Sequence, residues 1–149
     1  MPRIRVAALA VRGDEILLAR HVKDETTSYL LPGGGLDDGE NAHAALAREM
    51  REEASVNSVI GDLRYVIEVL APDRSRHLIQ LVFDVRIDRD IGDSADPRVA
   101  RCEWHPVAAL LSLPMHPAIG AIIADDLARA EQSRCRYVLA EWVEKKRAD

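Results

Sequence analysis

No stretch of the chain constrains it as tightly as Gly34 to Val56, which reads GGLDDGENAHAALAREMREEASV. Gly34 is followed six positions on by Glu40, then by Arg48-Glu49, the apolar Met50 and the pair Glu52-Glu53. From Ala42 to Ala54 there is no Gly or Pro, and the residues are mostly Ala, Glu, Arg, Leu and Met, all good helix formers. At about 100° per residue, Glu49, Glu52 and Glu53 fall within one arc of roughly 100°, a turn apart. That arc overlaps a small apolar stripe of Ala42, Leu46 and Met50, while Arg51 points the opposite way, to solvent.

A solvated acidic helix would turn its carboxylates away from the apolar stripe or alternate them with lysines. Three carboxylates on a partly buried face repel one another, and their ionised forms are costly there without compensation. A hard divalent cation supplies it. Mg²⁺ prefers oxygen ligands and keeps waters and substrate phosphates in its shell. The approach to the helix agrees: the apolar Leu30-Leu31 runs through Pro32 into Gly33-Gly34-Gly35. Glycines there permit close backbone approach to a ligand and often line anion sites before a helix.

The frame Gly34, Glu40, Arg48-Glu49-Met50, Glu52-Glu53 and Val56 is the Nudix box, G-x5-E-x7-R-E-U-x-E-E-x-G-U with U apolar, and only Ser55 departs from it, in place of glycine. So many coincidences would arise by chance on the order of once in a million chains of ordinary composition. The chain therefore resembles a Nudix hydrolase. The resemblance implies an α/β/α sandwich with a mixed sheet, and hydrolysis of a nucleoside diphosphate linked to another group, with Mg²⁺ or Mn²⁺. It implies Glu49, Glu52 and Glu53 as metal ligands, one of them also a candidate base, with the carbonyl of Gly33 as a further ligand. Arg48 would hold the neighbouring carboxylates by hydrogen bonds. Glu40 would brace the loop, and Gly34 and Gly35 would line the substrate side. The loop after the long strand sometimes supplies the base in this family, which nominates Asp93 and Asp96. The attacking water would be activated by the cation.

Ser55 pays a steric cost in the left-handed conformation that glycine adopts freely, so Asn57 is the expected alternative at the helix end. Pro72 lies sixteen residues beyond the box, where family members acting on ADP-ribose have proline. ADP-ribose or another ADP-sugar is thereby slightly favoured over nucleoside triphosphates and dinucleoside polyphosphates. A catalytically silent module that binds nucleotides stays open as a different class.

At 149 residues, nearly half apolar, the chain suits one domain with a real core, taken as residues 1–149. A net charge of −5 with dispersed basic residues leaves no footprint for duplex nucleic acid, and the expected partner is a small nucleotide. A homodimer stays open. No apolar run approaches the roughly 18 residues of a membrane span. The basic, apolar N-terminus lacks a convincing signal cleavage site and reads as a strand. Cys102 and Cys135 show no metal-type spacing and suit free thiols, consistent with a cytoplasmic protein.

Around the acidic helix the pattern predicts strands over Ile4–Val11 and Glu15–Arg20, joined at Gly13-Asp14, then a polar loop at 22–28. Arg64–Ala71 and His77–Asp88 follow, with a turn at Pro72–Ser75. The latter strand alternates as if half-buried. An acidic loop spans 88–97, a short strand Val99–Trp104, and helices are expected over Pro117–Ala130 and Ser133–Lys146. Trp104, Pro106 and Leu110-Leu111 weakly match a W-x-P-x-x-x-L stretch common in the resembled family. His77, His105 and His116 have no ligand spacing and are expected to be ordinary surface or core residues.

Overall fold

The computed structural model describes residues 1–129 and 134–144. Among these residues nine strands and two helices run in the order β1 (Arg3–Leu9), β2 (Val11–Arg12), β3 (Glu15–Lys23), β4 (Thr26–Leu30), β5 (Gly33–Gly35), α1 (Ala42–Ala54), β6 (Ser58–Leu70), β7 (His77–Ile87), β8 (Val99–Pro106), α2 (Gly120–Ala128) and β9 (Arg136–Leu139). A 3₁₀ turn at Val107–Leu111 follows β8. One sheet is mixed, ordered β5-β1-β7-β6-β9, with β1 parallel to β7 and β6 parallel to β9. The other is antiparallel, with β3 between β4 and β8 and β2 paired to its start.

Side chains alternate across a strand, so a strand covered on both faces needs a continuous apolar run. Val6-Ala7-Ala8-Leu9 and Ile16-Leu17-Leu18-Ala19 supply two such runs. Val6, Ala8, Leu17 and Ala19 pack with Leu46 and Met50 of α1. Ala7, Leu9, Ile16 and Leu18 pack on the other side with Ile123 of α2 and Leu110 of the 3₁₀ turn. The two cores make the α/β/α sandwich. Tyr65 in β6 donates to Asp126 of α2 at 2.6 Å, and Arg136 of β9 pairs with the same carboxylate at 2.7 Å, which ties the last elements to the sheet.

Several elements differ from the sequence expectation. The polar stretch 22–28 is a hairpin, because Asp24 and Glu25 adopt positive φ (49° and 60°) and close a two-residue turn without glycine. The helix expected over Ser133–Lys146 is replaced by strand β9, since Arg136–Leu139 completes the open edge of β6; Ser133 and Lys145–Arg147 lie outside the described residues. The helix expected over Pro117–Ala130 is shorter, starting at Gly120. β6 begins six residues earlier than Arg64, carried along by its ladder with β7. β7 is half-buried toward its end, where Asp84 and Arg86 reach solvent, but is covered on both faces at its centre, where Gln80 is only 1% exposed.

Candidate active site

α1 has the bounds read from the sequence, and Asn41 caps it by accepting from the N–H of Ala44 at 2.8 Å. Its buried face carries Ala45, Leu46, Met50 and Ala54, together with the carboxylates Glu49 and Glu53. Those two acids lie against the glycine strand. The N–H of Gly33 donates to Glu53 Oε2 at 3.1 Å. A Cβ built on Gly34 would collide with the Glu49 carboxylate, and one on Gly33 with the carbonyl of Val6. The glycines are therefore spacers that let the helix acids rest on backbone.

Arg48 organises the loop. Its Nε and Nη2 donate to both oxygens of Glu40 at 2.9 Å, and Nη2 also reaches the carbonyl of Gly35 at 3.0 Å. Nη1 donates to Glu49 at 3.0 Å and more loosely to Glu52 at 3.4 Å. Bonded to Arg48, the Glu40 carboxyl is held down to about 2. Glu52 stays at the rim, its side chain 44% exposed.

The end of α1 brings in the distant loop. Ser55 itself takes the left-handed conformation (φ 54°, ψ 39°), so Asn57 does not replace it, and the Ser55 hydroxyl donates to the carbonyl of Asp93 at 2.7 Å. The carbonyls of Glu52 and Ala54, unpaired by the helix, accept from Ala95 and Gly92 at 2.6 and 2.7 Å. Docked in this way, the loop delivers Asp96. One oxygen each of Glu49, Glu53 and Asp96 lies within 4.8 Å of the others. Asp93 remains outside the cluster with an exposed side chain, and so does Glu52.

The charges of this cluster are only partly compensated, by Arg48 on Glu49 and Arg98 on Asp96. Burial pushes the Glu53 carboxyl up to about 8, with Glu49 adding to the shift, against the N–H of Gly33. Burial also raises Glu49, against Arg48. Asp96 is lowered by its hydrogen bond from Arg98. Glu49 Oε2 is buried with no hydrogen-bond partner among the described residues. An all-oxygen set with an orphaned carboxylate oxygen fits a hard divalent cation such as Mg²⁺ or Mn²⁺.

A family model described as NUDIX domain matches residues 1–126. The chain belongs to the Nudix hydrolase family. NAD-capped RNA hydrolase NudC of Pseudomonas fluorescens is 32% identical over 126 residues, which cover 83% of this chain and 44% of NudC. The chain thus corresponds to under half of that relative's length. A NUDIX hydrolase structure from Nitrosomonas europaea superposes with a TM-score of 0.76 at 18% identity, covering 86% of this chain and 89% of the other. An ADP-ribose pyrophosphatase from Streptococcus suis superposes at 0.68 with 16% identity, covering 93% and 100%, and shares the fold.

At the Nudix box and the glycine just before it, the structure brings Gly33, Gly34, Gly35, Glu40, Arg48, Glu49 and Glu53 into one contiguous unit. Sequence reasoning named Asp96 only as a base, whereas the structure sets it beside the two helix acids. It passed over Arg98, which holds Asp96 at 2.8 Å, and no periodicity could have flagged a partner more than forty residues from the helix. The Nudix glycine Gly34 gives a direct test. Gly34→Ala needs only the flexible end of Glu49 to move, so melting should shift by no more than a few degrees. Turnover should fall at least about 10-fold as that carboxylate is displaced. Wild-type turnover in a folded Gly34→Ala would separate Glu49 from the chemistry.

Proposed function

We propose that this protein hydrolyses the diphosphate linkage of a nucleoside diphosphate joined to another group, using Mg²⁺ or Mn²⁺ held by Glu49, Glu53 and Asp96. The observation that carries the reading is the convergence of those three carboxylates on one point, with Glu49 Oε2 buried and unpartnered. A divalent cation there would lower the pKa of water and neutralise phosphate oxygens. Arg48 and Glu40 fix the loop so that Gly33–Gly35 presents backbone to the diphosphate. Glu52, at the rim, outside the cluster and held only loosely by Arg48, is the box carboxylate open to solvent and placed to take a proton from the attacking water. The Gly33 carbonyl is a further candidate ligand.

ADP-ribose or another ADP-sugar is the favoured substrate. The relative's name points to an NAD cap, and NAD also carries a diphosphate between nucleosides. Pro72 stands in the exposed turn between β6 and β7. The test is product analysis in ¹⁸O-labelled water with ADP-ribose, NAD, ATP and a dinucleoside polyphosphate. ADP-ribose should give AMP and ribose 5-phosphate, with label in one product alone, at the attacked phosphorus. Cleavage of ATP or the dinucleoside polyphosphate alone would move the assignment to those substrates. Binding without cleavage of any of them, at neutral and alkaline pH with either metal, would make the protein a binding module instead.

A further inference from the structure

A cleft of about 450 Å³ opens on the α2 side of the mixed sheet, a volume in the range of small-ligand sites. Arg3, Arg5 and Arg76 line it, and among the described residues that line it Glu141 is the one carboxylate. Leu30, Val69, Leu78 and Trp142 supply apolar wall. The Arg76 guanidinium sits 4.6 Å from the centre of that ring. The turn that carries Pro72 leads directly into Arg76 and His77, so the turn shapes this wall.

The cleft and the acidic cluster are neighbours across a single strand. Arg5 lines the cleft, and in the β1–β5 ladder it stands opposite Gly35. β5 is glycine throughout, and Glu49 and Glu53 rest on its backbone. Both of those charges act on Arg5. Its Nε is nonetheless buried without a hydrogen-bond partner among the described residues. A partly buried arginine with a vacant Nε donor, lining an aromatic cleft and within the field of the acidic cluster, matches a phosphate that both sides share.

We propose that this cleft selects the substrate by taking its nucleobase against Trp142 and Arg76, and that Arg5 donates to a phosphate oxygen of the diphosphate as it crosses the glycine strand. The inference rests on the hydrolase reading for the diphosphate and goes beyond it in assigning the base and Arg5. A planar base suits an aromatic ring and an arginine plane, since each base has a stacking face. A bare sugar has no such face, so the cleft discriminates by the nucleoside end of the substrate.

The full chain in chelator, where nothing is turned over, is titrated with adenosine, AMP and ribose 5-phosphate, read by calorimetry and tryptophan fluorescence. Adenosine and AMP should bind and quench, and ribose 5-phosphate should bind at least about 10-fold more weakly than AMP. Loss of stacking in Trp142→Leu should weaken adenosine and AMP alike by about 10-fold or more. Arg5→Gln should weaken AMP by about 10-fold and leave adenosine unchanged. Equal losses for both ligands in Arg5→Gln, or unaltered affinities in Trp142→Leu, would overturn the proposal. If Arg5→Gln does not fold by circular dichroism, the exposed Arg76→Gln decides: it should weaken adenosine several-fold, and no change overturns the base site. The two readings fail separately. The expected binding pattern without any diphosphate cleavage removes the hydrolase reading alone; cleavage by a wild type whose variants bind normally removes this one alone.

Discussion

Glu53→Gln is expected to lower turnover by at least about 10²-fold, the scale of losing one key electrostatic group, and to raise the Mg²⁺ or Mn²⁺ concentration needed for half-maximal activity. The side chain keeps its shape and its acceptor for the Gly33 N–H, so circular dichroism should report a folded chain. What it loses is one of three negative charges that meet within 4.8 Å. Glu52→Gln separates binding from proton transfer. Its carboxylate lies outside that cluster, so kcat should again fall by about 10² while the metal requirement changes little. Steady-state kinetics at varied metal concentration reads both quantities. Near-normal turnover in both variants would sink the assignment of the acidic centre.

The stability of the metal-free protein should decline between about pH 4.5 and pH 8. Burial holds the folded Glu53 carboxyl up at about 8, against roughly 4.3 in an unfolded chain. The folded state therefore binds the proton more tightly. The resulting stabilisation is complete below the unfolded value and is lost as pH rises through the folded one. The raised Glu49 acts with the same sign. Glu40, Asp96 and Asp126 are lowered in the folded chain, so their contribution is lost only toward acid, below that window. Over the window the loss should be on the order of a few kcal/mol. Urea unfolding in chelator at pH 5, 6.5 and 8 measures it. Glu53→Gln should flatten the slope and exceed the wild type in stability at pH 8, and added divalent cation should restore the wild type there. A wild-type stability that is flat or rising over the same window would contradict the buried, uncompensated Glu53.

What the sequence determined by itself is local. α1 was legible to its end residues because helix propensity, the absence of Gly and Pro, and the 3.6-residue repeat all act within a few positions. The same holds for the apolar run of β3 and the turn at Gly13-Asp14. The strand expected over Ile4–Val11, however, breaks at Ala10, so that β1 joins the mixed sheet and only Val11-Arg12 pairs with β3 across that turn. The Nudix box packs the loop brace and the helix acids into 23 residues, so Glu40, Arg48, Glu49 and Glu53 could be read together. The tertiary structure decided whatever depended on a distant partner. Arg136–Leu139 carries no local veto against a helix, and it is a strand because β6 offers an unpaired edge. Ser55 holds a glycine's conformation where a hydrogen bond to Asp93 and a docked loop hold it in place. Asp96 joins Glu49 and Glu53 by the same docking, more than forty residues along the chain. Gln80 sits buried where alternation marked a solvent face, because both sides of the sheet are covered. Periodicity reports which way a side chain points; only the packed chain determines what stands there to meet it.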